Sequence, residues 1–323
     1  MKTFVMKVGA LALGSLFATT AMAAPNGAVH SGGLLLKPDQ LPAAARAALT
    51  DAYHAEKAQH PERFDAVAAV RDCTAEGYVG KRNPKPQCMP ELHKLGREYG
   101  LAMLASLVFE APRTRDGHVP YGTAVEQQAY VKAVLEAVGR FRLPQAAPVL
   151  YASLMQGNAA HWQSAADALG RLGGDAEARA LVDLATTANP RQLAAISGLG
   201  ECKRSEAVAA LASLLGKHPQ GEQLAMVADS LGRVASAWAW QAMGPSKAAM
   251  AVEVRTTAAK AAVQALATYS DATSLEQVRQ ALWMAEHPET VAMLQAAGQS
   301  APADVRLRLE ALARRYQTYM ARR

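Results

Sequence analysis

The chain has 323 residues, half of them hydrophobic but only 6 % aromatic, so its apolar residues are mostly Ala, Leu and Val. Charged residues make up 19 % and the formal net charge is +6. This composition excludes a disordered chain, and the lack of Lys/Arg runs interleaved with aromatic residues argues against nucleic-acid binding. The abundant Ala and Leu are strong helix formers, and small side chains allow helices to pack closely.

Residues 1–23 are predicted to be a secretory signal peptide. Lys2 and Lys7 provide the positive start, Val8 to Thr20 is apolar, and Ala21-Met22-Ala23 forms a small-x-small cleavage pattern. We therefore expect cleavage after Ala23 and a periplasmic or secreted protein. The alternative is an uncleaved anchor helix, but the apolar stretch is shorter than the roughly 20 residues of a membrane span. No later stretch is long and apolar enough to be a membrane segment.

A flexible segment is expected at 24–38, followed by an N-terminal helical region at 39–122. The predicted helices run from about Asp39 to Gln59, from Pro61 to about Thr74 and from Pro90 to about Glu110. Gly, Pro and Asn residues predict loops at 76–87 and 111–122. Thr123 and Glu126 form a capping box that predicts the start of the next helix.

The chain has three cysteines. Cys73 and Cys88 flank the first loop, and in an oxidising compartment we expect them to form a disulfide. The alternatives are two free thiols, or a zinc site that includes His93 but lacks an identifiable fourth ligand. Cys202 is expected to be a partly buried free thiol, with a reactive thiol or an intermolecular disulfide as alternatives.

From residue 124 onward the sequence repeats with a period near 30 residues, which is typical of stacked helical units. A bulky residue and a Gly recur at Val138-Gly139, Leu169-Gly170, Leu199-Gly200 and Leu231-Gly232, with degenerate continuations at Leu266-Ala267 and Ala297-Gly298. Small residues stand two positions before the Gly, at Ala137, Ala168, Gly198, Ser230, Ala265 and Ala296. Large apolar residues stand eleven positions after it, at Leu150, Leu181, Leu211, Met243, Val278 and Leu309.

These three columns predict one helical pair per unit. The Gly is expected to end the first helix in the left-handed conformation. The small residue lets a partner helix approach, and the large apolar residue of the second helix enters the core between helices. Since one pair cannot bury both of its faces, the units are expected to stack.

The segment from Ser164 to Ala178 resembles the short HEAT repeat of the phycobilin lyases, and Leu193 to Leu215 is similar to it. The likeness extends over about 124–321. It implies an all-α fold, a right-handed α-solenoid of stacked antiparallel helix pairs, with about six repeats at 123–323. The fourth unit departs from the pattern between Ala235 and Gln241 and at Gly244-Pro245.

The resemblance suggests two activities that the residues do not support. HEAT-type hydroxylases bind two irons through His-Glu pairs, but no His here is directly followed by Glu. Lyase chemistry in this family is cytoplasmic, whereas this chain begins with a predicted export signal. No pattern for a nucleophile, a metal or a cofactor is present, so we expect no enzyme, no metal and no cofactor.

Candidate partner-binding residues are Arg171, Arg233, Trp238 and Trp240. Each of the arginines directly follows a repeat Gly. Stacking of the units would align them along one edge, which could attract an acidic partner. The alternative is that they only complement the dipoles of their helices. The tryptophans are two residues apart, so they cannot share one helical face, and one is expected to point outward as an interface anchor. The alternative is that both lie in an enlarged core.

These observations favour a periplasmic or secreted scaffold that binds a protein or peptide partner. One alternative is an accessory subunit or enzyme with a site in the N-terminal region, and another is a structural component of the cell envelope. A polar pocket beside Cys73 and Cys88 would favour the accessory subunit or enzyme.

Overall fold

A computed structural model describes residues 32–71, 73–74 and 85–322. This part of the chain is all-α: it consists of α-helices, short 3₁₀ helices and their connections. The predicted signal peptide lies outside the described residues, as does most of the predicted loop at 76–87. Among the described residues, no helix combines the length and apolar character needed to cross a membrane.

The helices of the N-terminal region differ in extent from the prediction. They are α1 (Ala43–Gln59), α2 (Pro61–Ala68), α3 (Met89–Leu95) and α4 (Gly100–Val108). The single helix expected from Pro90 to Glu110 is interrupted because Gly96 adopts a φ of 99°, which a right-handed helix cannot contain. A 3₁₀ turn, Arg97–Tyr99, connects the two parts.

The described part of the segment that was expected to be flexible, 32–38, is hydrogen-bonded to α4. Gly33, Leu34, Leu35 and Leu36 all donate backbone hydrogen bonds to carbonyls at the end of α4. Leu36 is 2 % exposed. An apolar run of three leucines gains more from packing against α4 than a polar linker would, and the segment is therefore held in place.

Cys73 and Cys88 form a disulfide with a Cα–Cα distance of 4.6 Å. The pairing confirms the prediction and removes both thiols from the zinc site considered as an alternative. It links the chain after α2 to the start of α3. A disulfide is compatible with an oxidising compartment outside the cytoplasm.

The remaining helices follow closely on one another. They are α5 (Ala124–Arg140), α6 (Ala147–Gln156), α7 (Ala159–Leu172), α8 (Asp175–Thr186), α9 (Gln192–Glu201), α10 (Ser205–Gly216), α11 (Gly221–Ala235), α12 (Ala237–Gln241), α13 (Ala248–Thr268), α14 (Ala272–Ala285), α15 (Thr290–Gln299) and α16 (Ala303–Ala321). The capping box at the start of α5 is present, because the Thr123 hydroxyl accepts from the Glu126 amide and the Glu126 carboxylate accepts from the Thr123 amide.

One row of helices determines where the candidate site lies. Helix α7 packs against α5 and α9, and α11 packs against α9 and α14. A second set of contacts joins α8 to α10 and α10 to α13. The predicted large apolar residues enter the core between these helices: Leu150, Leu181, Leu211, Val278 and Leu309 are completely buried, whereas Met243 is only partly buried.

The repeat glycines have a different role from the one predicted. Gly139, Gly170, Gly200 and Gly232 lie inside their helices and have negative φ, so they are not left-handed caps. A Cβ on Gly139 would come within 2.7 Å of the Ala168 Cα, and one on Gly200 within 2.9 Å of the Ser230 Cα. A Cβ on Gly170 would overlap the Gly198 carbonyl oxygen. The glycines therefore allow consecutive helices of the row to touch through their backbones.

The row does not continue as the last two predicted units require. Gly232 faces α14, and a Cβ on Gly232 would lie 3.1 Å from the Ala281 Cα. The repeat columns predicted that the helix containing Ala265 would be the next one in the row. Helix α13, which contains Ala265, packs chiefly against α10 and α14. The short helix α12 and the turn at Gly244-Pro245 intervene and shift the register of the columns.

Candidate functional site

Two further columns of the repeat form a polar face on the row of helices. Three residues before each glycine stand Glu136, Asp167, Ser197 and Asp229, and one residue after it stand Arg140, Arg171, Glu201 and Arg233. Residues four apart share one face of a helix. Because successive helices touch at their glycines, this face of one helix lies next to the same face of the following one. We call the set Glu136, Asp167, Arg171, Ser197, Glu201, Asp229 and Arg233 the ion network.

Arg171 connects three helices through the ion network. Its guanidinium lies between Glu136 of α5 and Glu201 of α9, with an ion pair to Glu136 and a distance of 3.2 Å from Nε to Glu201 Oε2. The Arg171 side chain is 22 % exposed. A guanidinium held by two carboxylates in a largely buried position acts chiefly as a link between helices.

Arg233 forms the second such link. Its Nη1 lies 2.6 Å from Glu201 Oε1, and its Nε lies 2.9 Å from Asp229 Oδ2 on its own helix. Its Nη2 donates to the backbone carbonyl and the hydroxyl of Ser197, at 3.1 and 3.0 Å. Glu201 thus accepts from arginines on both neighbouring helices. Its burial alone would raise the pKa of its carboxyl, but Arg171 and Arg233 outweigh that effect and lower it.

Asp167 has a less favourable environment than the other carboxylates. The Ser197 hydroxyl donates to Asp167 Oδ1 at 2.7 Å, but no guanidinium forms a close ion pair with Asp167 among the described residues. Burial raises the pKa of Asp167 to about 6, despite the opposing influence of Arg233 and the hydrogen bond from Ser197. Burial likewise lowers the pKa of Lys203, beside the ion network, to about 8. Both groups therefore titrate closer to neutrality than usual.

A cavity of about 330 Å³ opens onto the ion network. Residues of α5 and α7 form one side, and Lys85, Pro86 and Met89, close to the disulfide at Cys88, form the other. Gln163, Ser164 and Lys132 also line it. Among the described residues Lys132 has no ion-pair partner, whereas both arginines of the cavity are paired. The cavity therefore combines a floor of paired arginines and carboxylates with a lysine at its edge that has no ion pair among the described residues.

The predicted partner-binding residues occupy two different environments. Arg171 and Arg233 come together in the ion network and at the cavity. Trp238 is 76 % exposed, whereas Trp240 is 3 % exposed and its Nε1 donates to the Val234 carbonyl at 2.8 Å. One tryptophan of the pair faces outward, as their spacing predicted. Their roles in partner binding stay predictions.

Sequence reasoning missed Glu201, the residue that joins the two arginines. The signal for it was present: Glu201 follows Gly200 directly, in the same column as Arg171 and Arg233. Charges that alternate along a column of stacked units predict ion pairs between neighbouring units. Asp167 could have been found in the same way, because it shares its column with Glu136 and Asp229.

Cys202 and the histidines contribute no recognisable chemistry. Cys202 is fully buried and free, and burial raises the pKa of its thiol to about 11, so the protonated form predominates at neutral pH. This disfavours the reactive-thiol alternative. Burial lowers the pKa of His161 to about 4. In the described part of the chain, no group of His, Cys, Asp and Glu side chains is arranged to hold a metal ion.

Comparisons of the sequence with protein-family models and with curated proteins find no match. The ion network and the cavity above it are therefore the two features of the chain that bear on its function. These two features favour different kinds of function, since the first links helices and the second is open to a ligand.

Proposed function

We propose that this chain is a right-handed α-solenoid of short HEAT-type repeats, exported to the periplasm or beyond, that binds a protein or peptide partner over its polar face. The observation that carries the proposal is the open cavity above the ion network, which draws its residues from several consecutive helices and from the N-terminal region. A surface assembled in this way is rigid and extended, which suits a macromolecular ligand better than a small one.

The recurring contacts between helices support the repeat architecture. The same pair of columns brings Gly139 to Ala168 and Gly200 to Ser230. Arg171 and Arg233, which share a column, both form ion pairs with Glu201 from the helices on either side of it. Such repetition is the expected result of stacking similar units. The disulfide between Cys73 and Cys88 supports a location outside the cytoplasm.

Site-specific photocrosslinking tests partner binding. A photoreactive amino acid is placed at Ser164, which lines the cavity, and in a second variant at Ala209, an exposed position on α10. In cells that produce the full chain, Ser164 is expected to crosslink to one discrete protein that Ala209 does not capture. Identical products from both positions, or none from Ser164, contradict the proposal.

A second candidate function is favoured by the place of the cavity beside Cys88. A polar pocket at this point is the feature that an enzyme, or an accessory subunit with a site in the N-terminal region, requires. Asp167, with its pKa raised to about 6 by burial, would supply a proton donor or acceptor near neutrality. Replacement Asp167→Asn distinguishes the two functions, because it abolishes turnover by an enzyme but leaves the crosslink from Ser164 intact.

A further inference from the structure

A groove of about 370 Å³ lies between α14 and α16, away from the ion network. Leu266, at the end of α13, forms part of its floor, and Leu275 and Leu312 line its walls. The volume is within the range of about 300–1,000 Å³ that is typical of binding pockets. The centre of this groove is apolar and can bury a side chain of a ligand.

The two ends of the groove carry arginines. The ring of Trp283 packs edge-on against Tyr316, with 5.2 Å between the ring centroids. Arg279 precedes Trp283 by one helical turn and Arg315 directly precedes Tyr316, so both arginines lie at the same end of the groove. Arg308 lies two turns before Arg315 on α16, towards the other end, and also lines the groove.

The charge of the groove is not balanced by the described part of the chain. Arg279 forms an ion pair with Glu276 of its own helix. Arg315 is exposed and has no ion pair among the described residues. Arg308 donates from Nη2 to the carbonyls of Leu266 and Tyr269, both at 2.9 Å, while its buried Nε has no hydrogen-bond partner. Three guanidinium groups thus face a single carboxylate around an apolar centre.

We propose that the α14–α16 groove binds an acidic peptide segment of the partner, with an apolar side chain in the centre and a carboxylate at each end. Arg308 and Arg315 are seven residues apart, which corresponds to about 10 Å along a helix axis. In a peptide with the polyproline II conformation, side chains three residues apart lie on the same side and are separated by a similar distance of about 9 Å. The segment therefore carries two acidic residues three positions apart with apolar residues between them. This inference rests on the proposed partner-binding function and specifies the partner's chemistry.

Defined peptides test the groove directly. The probe is Gly-Glu-Leu-Leu-Glu-Gly with a neutral fluorophore, titrated with the full chain and followed by fluorescence anisotropy. Two matched peptides replace both Glu by Gln, or both Leu by Ser. The Glu-Leu-Leu-Glu peptide is expected to bind at least ten-fold more tightly than either, and increasing salt is expected to weaken its binding because exposed ion pairs are screened. Equal binding of the three peptides, or none, overturns the proposal.

Two neighbouring arginines provide a matched pair of variants. Arg315→Glu and Arg314→Glu change the net charge equally on the same helix, and both residues are exposed, but only Arg315 lines the groove. Arg315→Glu is expected to weaken binding of the probe at least ten-fold, and Arg314→Glu less than two-fold. Ala311→Trp, which fills the groove without changing any charge, is expected to weaken it at least ten-fold as well. Equal losses in the two arginine variants indicate attraction by net charge alone and contradict the groove.

Competition with laurate identifies a different occupant. If laurate binds to the groove and the peptide does not, the site takes an amphiphile with one carboxylate and the proposal is wrong. The outcome is independent of the crosslinking experiment at Ser164. If Ser164 captures a partner but the peptide does not bind, the groove proposal is wrong and partner binding stands. If the peptide binds but no partner is captured, partner binding at the cavity is wrong and the groove stands.

Discussion

The region from α5 to α11 and the region from α12 to α16 differ in the number of carboxylates that their arginines contact. In the first region, Arg171 and Arg233 each contact two carboxylates, and Glu201 connects them across three helices. In the second region, Arg279 has one ion pair, with Glu276 of its own helix, and also lies over the Trp283 ring. Among the described residues, Arg308 donates only to backbone carbonyls, and Arg315 has no ion pair. Pairs of arginine and carboxylate therefore link helices in the first region.

The difference originates in a single column of the repeat. Each glycine of the first region faces the small residue that lies two positions before the next glycine. Gly232 faces Ala281, so the position that corresponds to the next glycine is Trp283. A bulky indole prevents another close approach of backbones, and the neighbouring columns carry Gln280 and Met284 in place of acids and bases. The ion network consequently ends at Arg233.

Removing one acid from each region tests most strongly whether the ion pairs of the two regions differ in their contribution to stability. Glu201→Ala leaves Arg171 with one carboxylate and Arg233 with one, in a site where the side chains are 22 % exposed. We expect it to lower the free energy of unfolding by about 3 kcal/mol. Glu276→Ala removes the more exposed pair with Arg279 and is expected to cost under about 1 kcal/mol. Urea denaturation of both variants gives the two values, and equal losses contradict the distinction between the regions.

Local sequence features predicted local structure well. The start of α5 at Thr123 and the pairing of Cys73 with Cys88 depend on interactions between residues close in sequence, and the prediction was right for both. The regular spacing of the glycines also located real contacts between helices. Their conformation was misjudged, because a glycine that ends a helix and one that allows a neighbour to touch it have the same sequence pattern. Only the packing partner, about 30 residues away, distinguishes the two.

The site was less predictable than the helices. Arg171 and Arg233 were recognised, but as free cations, because their carboxylate partners on other helices become neighbours only when the helices pack together. The groove between α14 and α16 could not be read from the repeat, since its walls come from units in which the columns no longer hold. Its arginines follow no glycine and share no column with Arg171.

A second test concerns the backbone contacts of the first region. Gly170→Ala introduces a Cβ that overlaps the carbonyl of Gly198 on α9, a helix that is packed against α7, α8 and α11. We expect a net loss of about 2 kcal/mol in the free energy of unfolding, although alanine is the better helix former. Gly298→Ala on α15 is the control, because the nearest atom to its Cβ would be 3.8 Å away. Thermal denaturation is expected to show that Gly298→Ala is at least as stable as the wild type. A similar loss of stability in both variants argues against close packing at Gly170.

A third test uses the pH dependence of stability. The pKa of Asp167 is raised in the folded state to about 6, so the folded state holds this proton more tightly than the unfolded state. As the pH rises from about 4 to about 6, the unfolded chain releases the proton first and stability falls, by about 1–2 kcal/mol after allowance for partial exposure. Asp167→Asn is expected to remove this decline. Urea denaturation at pH 4 and pH 7 measures the loss of stability between the two pH values. Asp304→Asn, at an exposed position on α16, is the control. If the decline in stability persists in Asp167→Asn, groups other than Asp167 cause it.

The smallest effect on stability is expected at Trp238, although its side chain is among the largest in the chain. With 76 % of the residue exposed, Trp238→Ala removes little buried surface and should change the free energy of unfolding by less than about 0.5 kcal/mol. Val125→Ala is the control in the first region, since Val125 is 65 % exposed and is expected to be as neutral. The two should differ in binding: an exposed indole is a strong interface anchor, so Trp238→Ala should reduce the crosslink yield from Ser164 while Val125→Ala should not. If neither variant reduces it, Trp238 is an exposed side chain without a function in binding, and the surface of the second region contributes through its groove alone.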